Sequence, residues 1–314
     1  MDLNKKSILV TGGAGFIGSH LVDELINLNA NVSIIDNLSY GKKENINSKA
    51  SFYEINISEN DFKYLIDDCD IIFHLAANAT TKESQMGWND VSEDMKINSY
   101  ATLKILEYLR GSGKKIPLIF TSSAAVYGNS NNFPINEQNP TDPVSPYGIS
   151  KLSSEKYIQA YGKEFNIDFS ILRIFNTFGP RQPRYVIFDI IKKLTKNNNV
   201  LELLGTGNEI RDYSYIKDTI KAILTVVEKD SWGQIFNIAG NNSISIGNLS
   251  KMIIEEMGFK NVKLDFKGKS WKGDINRLDA DITKLKMIGF SPDFTLRMGI
   301  KETINYFNEI IKGK

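Results

Sequence analysis

The stretch that decides the fold runs from Ser7 to Gly18 and reads SILVTGGAGFIG, followed by SHLVDELINL at 19–28. A strand rich in β-branched residues leads into Gly12, Gly15 and Gly18, and a helical pattern begins directly after them. The first glycine permits a tight turn, the second lets a pyrophosphate approach the backbone, and the third lets the helix pack closely on the strand. Because helix N-termini attract anions, this segment predicts a dinucleotide site.

Asp36 ends the second predicted strand, in the place where a dinucleotide site needs an acidic side chain. Its carboxylate can accept hydrogen bonds from both ribose hydroxyls, and it would repel a 2′-phosphate. The sequence therefore predicts NAD rather than NADP as the cofactor.

Apolar runs alternate with helical patterns through the first half of the chain, which indicates βαβ units and a parallel sheet. After about Asn176 this rhythm loosens. We predict a Rossmann-like, doubly wound α/β fold, with an NAD-binding domain at 1–176 and a smaller α/β substrate-binding region at 177–314. Some segments of that region are expected to return to the first domain. The predicted strands are Ser7–Thr11, Val32–Asp36, Ser51–Glu54, Asp70–Leu75, Pro117–Ser122 and Asp168–Ile174, and the predicted helices include Ser19–Leu28, Tyr100–Arg110 and Tyr147–Phe165.

Composition excludes several classes of protein. The chain has 314 residues, a formal net charge of +1 and 41% hydrophobic residues, so no charge pattern indicates a nucleic-acid or anionic membrane partner. No apolar run reaches about 18 residues, and we expect a cytoplasmic protein. A single cysteine, Cys69, excludes a disulfide scaffold, and the absence of clustered Cys, His, Asp and Glu gives no support for a metal site.

Tyr147 and Lys151 lie four residues apart at the start of a helical pattern, so they project from one face. A pair with this spacing is more often a solvated helix face. A phenol has an ordinary pKa of about 10, and a neighbouring ammonium is expected to lower it, which makes the phenol a usable base. Ser123 follows a predicted central strand, where its hydroxyl could bind a reacting alcohol. The three residues together predict a catalytic site.

Motifs along the whole chain resemble those of the extended short-chain dehydrogenase/reductases, especially UDP-glucose/UDP-galactose 4-epimerases. The glycine spacing is G-x-x-G-x-x-G rather than the G-x-G-x-x-G of classical dehydrogenases. The motifs that carry the resemblance are TGGAGFIGSHLV at 11–22, DNLSYG at 36–41, HLAA at 74–77, SSAAVYG at 122–128, SPYGISK at 145–151, RIFNTFGPR at 173–181, RDYSYIKD at 211–218 and WKGD at 271–274.

The resemblance implies a mechanism and a set of binding residues. Tyr147 would take the proton of the sugar C4 hydroxyl while C4 gives hydride to tightly held NAD, and hydride would return to the other face of the 4-keto sugar. Lys151 would also hold the nicotinamide ribose. The cofactor residues implied are Gly12, Gly15, Phe16, Ile17, Asp36, Asn37, Ser39, Gly41, Asn56, Ile57, Leu75, Ala76, Ala77, Asn98, Tyr147, Lys151 and Phe175. The substrate residues implied are Thr80, Ser123, Ala124, Tyr147, Asn176, Val200, Arg211, Asp274 and Leu278.

Ala124 and Ala125 separate this chain from other branches of the family it resembles. Dehydratases carry an Asp-Glu pair at this point and decarboxylases keep a glutamate, whereas alanine cannot transfer protons. Cys69 lies before a predicted strand and is expected to be buried packing rather than the cysteine acid of the 3,5-epimerising relatives. The expected function is 4-epimerisation of UDP-glucose/UDP-galactose or of an acetamido or uronate analogue.

Several positions depart from the family pattern. Trp271 replaces a phosphate-binding arginine, which puts one phosphate contact in doubt. Asn56 replaces the usual aspartate of the adenine pocket, where its carbonyl could accept from the adenine amine. Leu278 is smaller than the tyrosine of strict UDP-glucose enzymes, so the resemblance extends the expected substrates to N-acetylhexosamines. Arg211 could instead be a surface ion pair with Asp212 or Glu209. His74 and His20 are expected to be structural.

Three rival functions stay open from the sequence. A reductase making a deoxy sugar would consume added NADH or NADPH, and another epimerase of the family is the second alternative. A non-catalytic NAD(H)-binding protein is disfavoured because Tyr147, Lys151 and Ser123 are all present. The resemblance also implies a homodimer formed by the helices around 100–110 and 147–165, with apolar residues such as Leu103, Leu106, Ile158 and Tyr161.

Overall fold

The computed structural model describes residues 1–78, 91–268 and 274–312. Among the helices it describes, none combines the length and the apolar character needed to cross a membrane. The strands are β1 Ser7–Thr11, β2 Asn31–Asp36, β3 Ser51–Glu54, β4 Ile71–His74, β5 Leu118–Ser123, β6 Phe169–Ile174, β7 Asn176–Phe178, β8 Val200–Leu203, β9 Ile210–Tyr215, β10 Gln234–Ile238, β11 Ser243–Ser245, β12 Lys263–Phe266 and β13 Arg277–Leu278.

The helices lie between these strands. They are α1 Phe16–Asn27, α2 Lys63–Asp67, α3 Val91–Asp94, α4 Ala101–Ser112, α5 Pro146–Phe165, α6 Val186–Lys196, α7 Ile216–Glu228, α8 Ile246–Glu256, α9 Thr283–Met287 and α10 Leu296–Lys312, with a π-helical turn at Met95–Tyr100 and 3₁₀ turns at Lys43–Asn45 and Ala124–Tyr127. The strand–helix alternation predicted for the first half of the chain is therefore present.

The central sheet has seven parallel strands in the order β10-β6-β5-β4-β1-β2-β3. The chain moves from β1 outward to β2 and β3, and then crosses back to β4 on the other side of β1. Such a reversal opens a crevice at the carboxyl ends of β1 and β4, the usual ligand site of a doubly wound sheet. The predicted Rossmann-like α/β fold is confirmed.

Both faces of the central sheet are covered, which explains the continuous apolar runs. Every residue of β4 and β6 is buried. The strand residues divide between two hydrophobic clusters, one containing Val10 and Phe73 and the other containing Leu9 and Phe120. Neighbouring residues such as Leu9 and Val10 point to opposite faces, as the strand period of two requires.

The later part of the chain builds smaller sheets and also extends the central one. β7, β9, β11 and β13 form a four-stranded sheet, and β8 pairs with β12 in parallel. β10 pairs in parallel with β6 and completes the edge of the central sheet. The predicted division at 176/177 remains a prediction, although β10 is a late segment that lies in the early sheet.

Candidate active site

The glycine turn between β1 and α1 leaves no room for side chains. Gly12 has φ +75°, and a Cβ placed there would lie 2.7 Å from the backbone nitrogen of Ala76. A Cβ at Gly18 would lie 2.1 Å from the carbonyl oxygen of Gly12. Gly15 caps α1 with an extended backbone, φ −76° and ψ −178°, and makes no side-chain hydrogen bond. The first N–H groups of α1 are therefore available to an anion such as a diphosphate.

Asp36 lies at the carboxyl end of β2 beside this turn. Its Oδ2 accepts a hydrogen bond from the Ala14 N–H at 3.1 Å, and its Oδ1 accepts one from the Leu38 N–H at 2.8 Å. Burial raises the pKa of the carboxyl group, and the two backbone bonds oppose that rise. A Cβ at Gly41 would lie 2.7 Å from Asp36 Oδ1, so glycine leaves one side of the carboxylate accessible. This arrangement fits an acidic side chain that meets a ribose.

Other residues expected to bind the cofactor surround the turn. The first turn of α1, the exposed loop after β2 and the residues after β4 all lie at the carboxyl edge of the sheet. The Asn37 side chain accepts from the Ser39 N–H at 3.0 Å and so shapes the loop after β2. The half-buried members of the set are Phe16, Ile17, Gly41, Leu75, Ala76 and Ala77.

Three expected cofactor residues are engaged within the protein. Both hydrogen bonds that the Asn56 side-chain oxygen accepts come from Ser58, at 3.1 Å from its N–H and 2.8 Å from its hydroxyl. An amide oxygen has two lone pairs, so Ser58 already engages both acceptor positions of Asn56, and the acceptor role toward adenine stays a prediction. Ile57 and Phe175 are 3% and 6% exposed and belong to the two cores.

Asn98 lies in the π-helical turn before α4 and connects three segments. Its Oδ1 accepts from the Asn78 N–H at 2.8 Å, and its Nδ2 donates to Ser150 Oγ at 2.9 Å. Ser150 in turn donates to the Tyr147 carbonyl at 2.8 Å. The buried Asn98 side chain thus connects the residues after β4 to the first turn of α5.

His74 is a core histidine, as the sequence predicted. Thr102 Oγ1 donates to the Asn98 carbonyl, so it must accept from His74 Nε2–H at 3.0 Å. His74 Nδ1 then accepts from Thr11 Oγ1 at 2.7 Å, and Thr11 Oγ1 accepts from the Ala76 N–H at 3.2 Å. Burial lowers the pKa of His74 to about 3, which keeps the ring neutral. The histidine links β1 to β4 without taking part in proton transfer.

Tyr147, Lys151 and Ser123 are brought together at the carboxyl edge of the sheet. Ser145 caps α5 by accepting from the Gly148 N–H at 3.1 Å, which starts the helix just before Tyr147. Ser123 is the last residue of β5, and its hydroxyl lies close enough to Tyr147 to lower the pKa of the phenol, against the larger raising effect of burial. Lys151 is 1% exposed, and its Nζ donates to the Thr121 carbonyl at 2.8 Å.

Close packing of α5 against the turn after β5 fixes this arrangement. A Cβ at Gly148 would lie 2.7 Å from the Ala125 carbonyl oxygen, so only glycine lets the first turn of α5 approach. The Lys151 ammonium lies 4.6 Å from the ring centre of Phe120, a cation–π contact. Helix and strand packing therefore holds the phenol, the amine and the hydroxyl near one another.

Burial opposes ionisation of both Tyr147 and Lys151. It raises the pKa of Tyr147 above its ordinary value, against the lowering effects of the Ser123 hydroxyl and the Arg184 charge. Burial also lowers the pKa of Lys151 to about 7, against the neighbouring charges of Glu155 and Asp94. We expected the ammonium to lower the phenol pKa, and this was wrong for the protein's own residues because removal from water outweighs the nearby charges.

Arg211 and Asp274 form a largely buried ion pair, with 2.7 Å between Nη2 and Oδ1. Arg211 Nη1 also donates to the carbonyls of Ile210 and Asn276. The acidic partner is therefore Asp274 and not the neighbouring Asp212 or Glu209, so the surface ion pair considered from the sequence is not formed.

The other expected substrate residues are distributed over several elements. Asn176, at the start of β7, donates to the Asp212 carbonyl at 3.1 Å. Leu278 in β13 is opposite Arg211 in β9, whereas Val200 begins β8 in the separate two-stranded sheet. Ala124 is buried directly after Ser123. Thr80 and Trp271 lie outside the described residues.

Three residues near the site were missed from the sequence. Tyr213 is buried, and its hydroxyl has no hydrogen-bond partner; strand alternation from Arg211 could have indicated that it shares the same face. Arg184 and Tyr185 both influence the pKa of Tyr147, and no periodicity in GPRQPRY indicates this. Across residues 1–78, 91–268 and 274–312, no group of three or more His, Cys, Asp or Glu side chains could hold a metal ion.

Comparison with known proteins agrees with this geometry. The model of the NAD dependent epimerase/dehydratase family matches residues 8–239. A UDP-glucose 4-epimerase structure from Thermotoga maritima is 34% identical, with a TM-score of 0.89 over 97% of this chain and 99% of that one. A UDP-N-acetylglucosamine 4-epimerase structure from Methanobrevibacter ruminantium M1 is 33% identical, with a TM-score of 0.89 over 98% and 99%.

A third similar structure is a UDP-glucuronic acid 4-epimerase from Bacillus cereus in complex with UDP-glucuronic acid and NAD. It is 32% identical, with a TM-score of 0.88 over 97% of this chain and 99% of that one. The family and the cofactor expected from the motifs are thereby confirmed. This chain belongs to the NAD dependent epimerase/dehydratase family.

Proposed function

We propose that this protein is an NAD-dependent UDP-sugar 4-epimerase that acts on UDP-glucose/UDP-galactose or on an acetamido or uronate analogue. The observation that carries the proposal is the meeting of Ser123, Tyr147 and Lys151 at the sheet edge that also holds the glycine turn. The similar structures from Thermotoga maritima, Methanobrevibacter ruminantium M1 and Bacillus cereus support this substrate range.

The proposed chemistry needs a base and a hydrogen-bond donor at one sugar alcohol. Tyr147 takes the C4 hydroxyl proton as the alcohol becomes a ketone, and it returns the proton when the alcohol forms again. Ser123 binds the same oxygen and holds the phenol in place. Lys151, buried on the next turn of α5, holds the nicotinamide ribose and in its protonated form supplies positive charge near the phenolate. Bound NAD⁺ supplies the hydride acceptor and additional positive charge.

The residues beside Ser123 favour epimerisation over elimination or decarboxylation. Ala124 and Ala125 occupy the turn after β5, and Ala124 is 2% exposed. Neither side chain can donate or accept a proton, so a second acid–base pair is missing from this position. A sugar oxidised at C4 then has one course available, which is reduction back to the alcohol on either face.

We assign the NAD and UDP-sugar contacts to the residues expected from the sequence, according to where each one lies in the fold. Phe16, Ile17 and the open N–H groups of α1 would hold the NAD diphosphate, and Asp36 would hold the adenosine ribose. Asn176, Arg211, Asp274 and Leu278 would line the UDP-sugar site. Because Asp274 already neutralises Arg211, the guanidinium would bind substrate phosphate with the groups that the ion pair leaves free.

We also propose a homodimer formed through the outer face of α4 and α5. A cavity of about 340 Å³ on this face is lined by Met95, Lys96, Ser99, Tyr100, Leu103 and Tyr157. Tyr100 and Tyr157 are 52% and 42% exposed, which leaves apolar surface for a partner. Leu106 and Ile158, named from the sequence as interface residues, are fully buried against the sheet of the same chain, so that part of the expectation was wrong.

A cytoplasmic location is proposed with the function, in keeping with the single, buried and free Cys69 thiol.

The test is an epimerisation assay without added NAD. Purified protein is mixed with each member of a panel of UDP-, GDP-, CDP- and dTDP-sugars, and the products are separated by chromatography. The released cofactor is identified by mass spectrometry. We expect bound NAD and interconversion of at least one pair of UDP-sugar C4 epimers.

Two variants make the test specific. Tyr147→Phe should abolish turnover while it retains NAD, and Tyr64→Phe, at a tyrosine 53% exposed on α2, should leave turnover unchanged. A protein that holds NAD but converts no nucleotide-sugar would contradict the proposal. Stoichiometric consumption of added NADH with a keto sugar would establish a reductase instead.

A further inference from the structure

Arg184 lies against two tyrosines, its direct chain neighbour Tyr185 and the distant Tyr40. Its guanidinium carbon lies 4.9 Å from the ring centre of Tyr40 and 5.2 Å from that of Tyr185. Tyr40 belongs to the loop that follows β2 and Asp36, and Tyr185 is the residue before α6. The arginine therefore connects the adenosine side of the cofactor site to the segment that leads into α6.

The charge of Arg184 is not neutralised by a carboxylate. Nearby Arg181 pairs with Asp23 at 2.8 Å, whereas Arg184 makes no ion pair with any acidic side chain in the described ranges. Helix α1 contains no lysine or arginine at all. A dinucleotide diphosphate at the glycine turn would thus meet backbone N–H groups there but no cation from α1.

The segment Gly179–Tyr185 is fixed against the first turns of α1. His20 Nε2 lies 3.0 Å from the Pro180 carbonyl oxygen, and the Arg181–Asp23 ion pair adds a second attachment one helical turn further along α1. At its far end the segment influences the catalytic phenol, since Tyr185 raises the pKa of Tyr147 and the Arg184 charge lowers it, both less than burial does. Arg184 thus contacts the adenosine loop through Tyr40 and belongs to a segment whose charges act on the catalytic tyrosine.

The backbone at this point supports a functional role. Tyr185 has φ 77° and ψ 171°, a region that is essentially restricted to glycine. Such backbone geometry at a side chain other than glycine persists only where the surroundings enforce it, and it is common in ligand clamps. Here it accompanies a Tyr185 ring that lies within cation–π distance of the guanidinium, as the Tyr40 ring also does.

We propose that Arg184, held by Tyr40 and Tyr185, closes over the diphosphate of the dinucleotide and keeps NAD bound between turnovers. A planar guanidinium bonds phosphate oxygens through its edge while its faces stack on aromatic rings, which a lysine could not do. The inference rests on the proposed function, since an epimerase regenerates its cofactor in every cycle and gains from slow release.

The test compares Arg184→Ala with Arg297→Ala, whose guanidinium pairs with Glu255 and Glu256 on the surface and is not near the site. The NAD retained after purification is measured by absorbance after acid release, and NADH dissociation is followed by stopped-flow fluorescence. We expect Arg184→Ala to release the dinucleotide about ten- to hundredfold faster, the range for one lost charge-assisted hydrogen bond. Arg297→Ala should match the unaltered protein.

Added NAD separates this inference from the proposed function. Saturating NAD should restore epimerisation to Arg184→Ala, with the KM for the UDP-sugar unchanged. A raised KM for the UDP-sugar with normal NAD release would assign the guanidinium to the substrate and overturn the inference. Faster release in a protein that epimerises no sugar would uphold the clamp and reject the epimerase.

The role of the aromatic rings is tested separately at Tyr40. Tyr40→Phe keeps the ring and should release NADH at the normal rate, whereas Tyr40→Ala should release it faster than Tyr40→Phe. Equal rates of NADH release from the two variants would overturn the proposed role of the Tyr40 ring.

Discussion

Replacement of Glu155 by glutamine should strongly destabilise the protein. Glu155 on α5 is 1% exposed at its side chain, and Arg173 on β6 is 4% exposed. One carboxylate oxygen accepts from Ser122 Oγ at 2.5 Å and Arg173 Nε at 3.0 Å, and the other accepts from Arg173 Nη2 at 2.7 Å. Glutamine would turn one of these oxygens into an NH₂ group that faces an arginine donor and would leave the guanidinium charge buried without a counter-ion.

The expected cost is about 3–5 kcal/mol, the range for breaking a buried ion pair by removal of one partner. The lower end is expected because Arg173 keeps its bond to the Tyr127 hydroxyl at 2.9 Å and its position 4.7 Å from that ring centre. For a chain of this size the change corresponds to a fall in Tm of about 5–8 °C. Urea denaturation followed by circular dichroism measures the free energy of unfolding.

The matched control is Asp67→Asn, which removes an exposed ion pair with Lys63 on α2 and should cost no more than about 0.5 kcal/mol. The double variant Glu155→Met with Arg173→Met removes both charges and should recover part of the loss. If Glu155→Gln proved as stable as Asp67→Asn, the reasoning that loss of Glu155 leaves a buried guanidinium charge without a counter-ion would be refuted.

Three other measurements test individual side chains. Tyr213→Phe removes a buried hydroxyl without a partner, so the free energy of unfolding should rise by about 1 kcal/mol in urea; a fall would mean that the hydroxyl is bonded. Burial raises the pKa of the Cys69 thiol to about 12, so a disulfide reagent at pH 8 should modify the folded protein far more slowly than the urea-unfolded chain, and equal rates would contradict this. Burial lowers the pKa of Lys151 to about 7 from 10.5. Between pH 7 and 10 the unfolded chain therefore holds a proton that the folded protein has released. The free energy of unfolding should accordingly rise with pH over this range. Lys151→Met should lack that gain in urea titrations at pH 6.5, 8 and 9.5, and parallel curves for the two proteins would count against the shift.

The elements near the glycine turn could be predicted because their signals are local. β1 has the predicted bounds, and β2 and β6 each differ by one residue. Helix α1 begins at Phe16 rather than Ser19, because Gly15 caps it and the glycine spacing allows the first turn to form inside the motif. Sequence spacing also placed Tyr147 and Lys151 on one face, since both lie in a single helix.

The parts that could not be predicted depend on distant pairing or on burial. Arg211 and Asp274 are far apart in sequence, and only the folding of β9 beside β13 brings them together. The pKa of Tyr147 moved opposite to our expectation because desolvation depends on packing around α5, which spacing does not reveal. The stacking of Arg184 on Tyr40 joins two loops without any periodic pattern.

The late arrival of β10 at the edge of the central sheet has a consequence for synthesis. β6 pairs with β5 on one side and with β10 on the other, in a register that runs from Ser170 with Gln234 to Ile174 with Ile238. While residues 175–233 leave the ribosome, the apolar strand β6 has an open edge that another nascent chain could pair with. Premature termination anywhere in that interval would yield a fragment prone to aggregate, however complete its cofactor-binding motifs.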